Sequence, residues 1–232
     1  MLHETTPSGE VCAEPTKEFF VEMLTRDIKL EQAVLDLVDN CIDGAKKLHP
    51  EPESRFDDCS VSIKFDADVF HIFDDCGGFD IETAQKHAFR FGRADDFKSA
   101  PHSIGRFGVG MKRALFKFGR HFKVRSATSE ELWAIDIDVK EWGKSVDWTF
   151  PWAEFGEEDV ISRNKPGTEI IVTELRQEIS TRFSTANFET AITNLIQSKH
   201  RQFISSGLSI SVNGTHLRIV DLTTFPFRGV DS

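Results

Sequence analysis

Between Leu30 and Leu48 the chain reads LEQAVLDLVDNCIDGAKKL, and its apolar residues recur at three-and-four spacing. Leu30, Ala33, Val34, Leu37, Val38, Cys41, Ile42 and Ala45 form one stripe, the signature of a helix buried along one side. The opposite face carries Asp36, Asn40, Asp43 and Lys47. At 3.6 residues per turn these four fall within about 60° of one another. His49, Pro50 and Pro52 end the helix. An earlier helix is expected from Lys17 to Ile28, after a loose arm at residues 1–15.

The period then changes to two. Val61, Ile63 and Phe65 alternate with polar residues, as do Val69-Phe-His-Ile72-Phe, with Asp66, Ala67 and Asp68 between them. This predicts a β-hairpin. Its second strand runs into Asp74-Asp75-Cys76-Gly77-Gly78. A short helix is expected over Ile81–Phe91 and a loop over Gly92–Ser103. After three glycines comes a helix with Met111, Ala114, Leu115 and Phe118 on its apolar side and Gly119 as its stop. Strands are expected at 121–127, 131–138, 145–150 and 168–174. An amphipathic helix from Phe188 to Phe203 follows, then a hairpin turning on Asn213-Gly214.

Composition narrows the class. With 232 residues, 39% of them apolar and 28% charged, the chain has the make-up of an ordinary globular domain, or of one domain and the start of another. A net charge of −10 argues against broad binding to nucleic-acid phosphates by this domain alone. No apolar run is long enough to span a membrane. The opening segment, MLHETTPSGEVCAEPTKEFF, is acidic and polar and lacks a signal-like core, so a cytoplasmic location is expected. Cys12, Cys41, Cys59 and Cys76 show no C-x-x-C spacing, and no nearby histidines complete a zinc set. All four are read as reduced thiols.

Four patches carry candidate chemistry. The polar helix face offers carboxylates, an amide and an amine in a row, although most charged helix faces are simply solvated. Gly105-x-x-Gly108-x-Gly110 before a helix lets backbone amides approach a phosphate, with Lys112 adding charge, although a tight turn also wants glycine. It is not a Walker loop, and the long polar loop before it fits a dinucleotide fingerprint poorly. Asp74, at a strand end before Gly77-Gly78, can accept a hydrogen bond from an amino group on a heteroaromatic ring; a bare Asp turn is the alternative. Thr168 opens a strand after Pro166-Gly167 and can offer its hydroxyl to a ligand, directly or through water.

Singly these patches say little, but their order is informative. Asp36-x-x-x-Asn40-x-x-Asp43, Asp74-x-Cys76-x-Gly78, Gly105-x-x-Gly108-x-Gly110 and Gly167-Thr168 resemble the nucleotide-binding boxes of the GHKL ATPases. That superfamily holds gyrase, the ninety-kilodalton heat-shock chaperones, histidine kinases, mismatch-repair ATPases and the microrchidia ATPases. The likeness covers about residues 17–215. GRFGVGMK (105–112) looks like the chaperone and microrchidia branches, and LIQSKHRQFISSGLSISV (195–212) looks like the helix and strand that follow the Gly-Thr box in the chaperones. No phospho-acceptor helix precedes the domain, which disfavours the histidine-kinase branch.

The resemblance implies a two-layer α/β sandwich of the Bergerat type over residues 16–220, with a mixed, mostly antiparallel sheet and helices on one face. Residues 221–232 would be a tail or the start of a further domain. It implies ATP and Mg²⁺ as cofactors. Asn40 would hold the metal and Asp43 would shape the pocket beside it. Asp74, Gly78 and Thr168 would take adenine. Gly105, Phe107, Gly108, Val109 and Gly110 would offer amides to the phosphates, with Lys112 close by. Asp36 stands where the family usually has the glutamate that activates water, and Cys76 stands where it usually has glycine. The first departure predicts slow hydrolysis, because aspartate is one methylene shorter. The expected partners are ATP or ADP, a second copy on ATP binding, and a downstream domain or partner protein that reaches the γ-phosphate. Two rival outputs are a non-catalytic ATP-sensing interaction module and the ATPase module of a DNA-processing or defence machine.

Overall fold

The computed structural model describes residues 13–90, 109–156 and 161–219. Most of the expected arm, the loop over 92–103 and the tail over 221–232 lie outside them.

Helix α1 (Lys17–Thr25) is opened by Thr16, whose side chain accepts from Phe19 N at 3.2 Å. It stops before the expected Ile28. Helix α2 (Leu30–Leu48) spans the predicted stretch and ends at His49, before Pro50. All eight residues of its predicted stripe are buried, together with Leu35 and Asp39. Asp39 is the buried charge on this helix. Lys199 Nζ lies 2.8 Å from Oδ2 and His200 Nε2 3.1 Å from Oδ1. Burial opposes ionisation there, but hydrogen bonds from His200 and Lys199 hold the Asp39 carboxyl below its ordinary value. This ion pair ties α2 to Lys199 and His200.

The strands are β1 (Ser60–Phe65), β2 (Phe70–Asp74), β3 (Gly119–Ala127), β4 (Leu132–Asp138), β5 (Trp152–Ala153), β6 (Gly167–Leu175), β7 (Ser209–Val212) and β8 (Thr215–His216). They form one sheet in the order β5-β4-β3-β6-β2-β1-β7-β8. Every pairing is antiparallel except β1 with β7. The expected mixed, mostly antiparallel α/β sandwich is therefore present. One cross-strand row matters most. Val61 pairs Asp74, Asp74 pairs Thr168, and Thr168 pairs Ser126. Directly opposed residues share a sheet face, so these four side chains line up on one side, at one end of the sheet.

That side is the core. Ile63, Phe70, Ile72, Phe122, Val124, Ile170 and Val172 point into it and meet α2 and the helix α4 (Val109–Phe118). Between β2 and α4 lie α3 (Ile81–Thr83) and a π-helical turn, Ala84–Ala88, where one longer helix was expected. Phenylalanine rings tile the interior: Phe65, Phe70, Phe118, Phe183 and Phe188 touch one another at centroid separations of 4.7–5.7 Å. The last two belong to α6 (Gln177–Phe183), which the apolar pattern did not announce, and α7 (Ala186–Lys199). The predicted helix over 188–203 breaks at His200, and α8 (Arg201–Ser205) continues it.

The strand expected over 145–150 does not form. Helix α5 (Val139–Lys144), capped by Asp138, precedes that stretch. Backbone carbonyls at its end turn onto a buried ammonium instead of a neighbouring strand. Lys17 Nζ donates to Trp142 O at 2.9 Å, Ser145 O at 3.0 Å and Asp147 O at 2.6 Å, and lies 4.3 Å from the Trp142 ring centroid. Alternation in the sequence cannot reveal a lysine 130 positions away that claims the carbonyls. Replacing Lys17 with methionine keeps the stem and removes the ammonium these carbonyls share, leaving Ser145 to serve Trp142 O and Asp147 O. The expected cost is about 2 kcal/mol, seen as a fall of roughly 4–8 °C in the thermal midpoint by calorimetry. An unchanged midpoint would show that solvent replaces the ammonium without loss.

Candidate functional site

The site is assembled at the Asp74 end of the cross-strand row. Asp74 is buried, and its Oδ1 accepts from Cys76 N at 2.9 Å. The Cys41 thiol and the Thr168 backbone N–H also reach this carboxylate. Burial outweighs these donors and pushes the Asp74 carboxyl up to about 6. A carboxylate held where water reaches it so poorly is a feature of binding sites.

Around Asp74 the backbone is packed to contact. After Cys76 the chain enters the left-handed region twice, at Gly77 (φ 88°) and Gly78 (φ 62°), and not at Cys76 itself. The cysteine that stands in for the usual glycine is therefore not asked to adopt that geometry. A Cβ on Gly78 would lie 2.2 Å from Ala127 O, 2.7 Å from Gly167 O and 2.8 Å from Ser126 Oγ. Gly78 thus sits directly against the starting residues of β6 and the end of β3. Ser126 is wholly buried, accepts from Phe79 N at 2.8 Å and lies 3.4 Å from Thr168 Oγ1. Asp74, Gly78 and Thr168 therefore form one cluster, with Ser126 as a member that sequence reasoning missed. Its signal was available: a small polar residue at an inward position of an otherwise apolar strand.

The helix is joined to this cluster by a second residue that sequence reasoning missed. Gly44 approaches so closely that a Cβ there would lie 2.6 Å from Cys76 O. Glycine in a helix interior costs about 1 kcal/mol relative to alanine, which marks a packing reason. Because Cys41 and Gly44 both touch the Asp74–Cys76 turn, the face bearing Asn40 and Asp43 borders the cluster. Asn40 is exposed, and Asp43 is half-buried with Lys46 Nζ 3.7 Å from its carboxylate. Asp36, one turn earlier, is half-buried and accepts from Gln32 Nε2 at 2.6 Å. It faces the start of α4: a Cβ on Gly110 would lie 3.0 Å from Asp36 Oδ2.

The fourth patch is described only in part. Gly105, Phe107 and Gly108 lie outside the described residues, while Val109 and Gly110 are the first two residues of α4. Lys112 is buried, and its ammonium donates to Arg90 O. Burial lowers the Lys112 ammonium to about 8. The side chain expected to add charge beside a phosphate is thus turned inward here.

The arrangement offers a buried acidic acceptor, then oxygen donors along one helix, then the first residues of a second helix. A planar polar ring, a hard cation and an anionic chain suit these in that order. A family model described as "Histidine kinase-, DNA gyrase B-, and HSP90-like ATPase" matches residues 28–168. No curated protein matches the chain. Among the described residues no helix is long and apolar enough to cross a membrane.

Burial of Asp74 has a consequence for stability. Its unfolded value is near 3.8 and its folded value about 6. The native state therefore binds the extra proton between these values, and stability falls as pH rises through that window. Asp74→Asn removes the penalty. The ligand-free variant should be more stable than wild type at pH 7.5 by about 1–3 kcal/mol, since a carboxyl raised by one pH unit costs about 1.36 kcal/mol when ionised. Urea unfolding at pH 4.5 and 7.5 checks this, and a variant less stable at both values would refute it.

Proposed function

The chain belongs to the histidine kinase-, DNA gyrase B- and HSP90-like ATPase family, and on that premise we propose that it binds Mg·ATP and hydrolyses it slowly. The observation that supports this most is the cluster of Asp74, Gly78, Thr168 and Ser126 tied to α2 through Cys41 and Gly44. In this reading the adenine amino group donates to Asp74, and Thr168 completes the purine site directly or through water. Such a donor gives the buried carboxylate the partner that solvent no longer supplies.

The donor set beside this recess fits Mg²⁺. Asn40 presents a neutral amide oxygen in the open, with Asp36 and Asp43 about one turn to either side on the same face. Oxygen-only ligation with room for several waters is what that ion takes. Asn40 would hold it, and when bound the ion would neutralise charge on the triphosphate. The backbone amides of Gly105, Phe107, Gly108, Val109 and Gly110 would receive the phosphates, aided by the helix N-terminus. Lys112 contributes charge only if its ammonium leaves Arg90 O.

Asp36 is the proposed base. Its position against Gly110 puts a carboxylate beside the start of α4, where the terminal phosphate would arrive. It orients water for attack on that phosphate and takes its proton. Its shorter side chain leaves the oxygen about 1 Å back, and misplacement of that size costs up to about 10²-fold in rate. The further output is closure over the nucleotide and pairing with a second copy in the cytoplasm, with a downstream domain or partner completing the site.

Three outcomes are expected. Mg·ATP should raise the thermal midpoint of wild type in proportion to the logarithm of its concentration, and Asp74→Asn should abolish that shift. Asp36→Asn should keep the shift and lose at least about tenfold in phosphate release, the least expected of a positioned base. An equal release rate would show that Asp36 is not the base. Light scattering with a non-hydrolysable ATP analogue should show a dimer, and a monomer at all concentrations would remove the pairing step.

A further inference from the structure

Behind the purine-side turn lies a second cluster, on the far side of Cys76 from the nucleotide recess. His49 caps the C-terminus of α2, and Asp58 and Cys59 lead into β1. The fold brings the three together although the histidine and the cysteine are ten positions apart. One ligand atom of each lies within 4.8 Å of the others: the His49 ring nitrogen, an Asp58 oxygen and the Cys59 sulfur. Asp58 Oδ1 is 2.8 Å from His49 Nε2 and 3.8 Å from Cys59 Sγ.

Two details set this cluster apart from a routine polar contact. His49 Nε2 is buried beside the Asp58 carboxylate, 2.8 Å from Oδ1, and the ring also reaches the Cys59 thiol. The ring is also held in place, edge-on to Phe56 at 5.8 Å. Cys59 is wholly buried, while the Asp58 side chain is 70% exposed, so the cluster opens to solvent on one side only.

We propose that His49, Asp58 and Cys59 form a zinc(II) site that fastens the end of α2 to the start of β1. One imidazole, one carboxylate and one thiolate are a donor set that zinc accepts. Around a tetrahedral zinc, with bonds of about 2.0–2.3 Å, such atoms stand about 3.3–3.6 Å apart, so the His49–Asp58 contact would open by about half an ångström and the Asp58–Cys59 separation would close slightly to admit the ion. The exposed side leaves a fourth position to water. Spacing along the chain shows no such set, because the histidine comes from a helix end and the other two from a strand entry.

The site has a place in the domain's work that does not depend on the ATP reading. It clamps the helix bearing Asp36, Asn40 and Asp43 to the strand that pairs with β2, next to Cys76. Zinc should therefore stiffen that junction whether or not nucleotide binds.

The test is a zinc titration of the reduced, metal-free chain against a chromophoric chelator. Wild type should take up one zinc per chain and gain thermal stability from it. Cys59→Ser and His49→Ala should each bind at least tenfold more weakly. Cobalt(II) in place of zinc should give a thiolate charge-transfer band that Cys59→Ser lacks. Asp58→Asn, at an exposed side chain, guards against a variant that simply fails to fold, and it too should bind more weakly. No stoichiometric uptake by wild type, or wild-type affinity in both Asp58→Asn and His49→Ala, would overturn the proposal.

Discussion

The structure is arranged around the cost of keeping one carboxylate out of water. Asp74 ends β2 in a position that pushes its carboxyl up to about 6, and the surrounding chain is built to hold it there. Gly78 and Gly44 let two backbone segments close on the Asp74–Cys76 turn, leaving no room for a side chain at either point. Ser126 uses its hydroxyl to tie Phe79 N into the same corner. Such an arrangement stores instability where a ligand can relieve it, the usual trade between fold and function.

Helix α2 mediates between that corner and the rest of the site. Three of its faces have separate tasks. The apolar stripe is buried, Asp39 pairs with Lys199 and His200, and Asp36, Asn40 and Asp43 stay half-buried or exposed. A buried ion pair adds little net stability, because desolvation offsets most of the attraction. Its contribution is orientation: breaking it would leave a buried charge, so α2 has one acceptable rotation. The same helix ends at His49, beside Asp58 and Cys59, so it is also constrained by groups away from the Asp74 cluster.

The far side of the sheet is polar in a structured way. Glu169 is buried between His71, 2.8 Å from Oε1, and the Arg125 guanidinium. Burial opposes ionisation of Glu169, yet hydrogen bonds from His71 and Arg125 hold its carboxyl below the ordinary value. Glu169 and Asp74 are both buried carboxylates on neighbouring strands. The one with cationic partners is a settled structural ion pair, and the one without them is the candidate for recognition. That contrast, more than burial itself, singles out Asp74.

Local pattern was enough for the elements whose environment repeats along the chain. The full length of α2, the hairpin of β1 and β2 and the Asn213-Gly214 turn follow from periodicity and turn chemistry, since each residue there answers to its own neighbours. The four candidate patches were legible in the same way, as residue types at fixed spacing. What the sequence could not carry were contacts between distant segments. Lys17 takes the carbonyls of 142–147 and abolishes an expected strand. Ser126 and Gly44 join the site because of what lies opposite them. Lys112 turns inward onto Arg90, and His49 meets Cys59. Each of these depends on which surfaces the fold brings together, a quantity fixed by packing of the whole domain and absent from any local window of the chain.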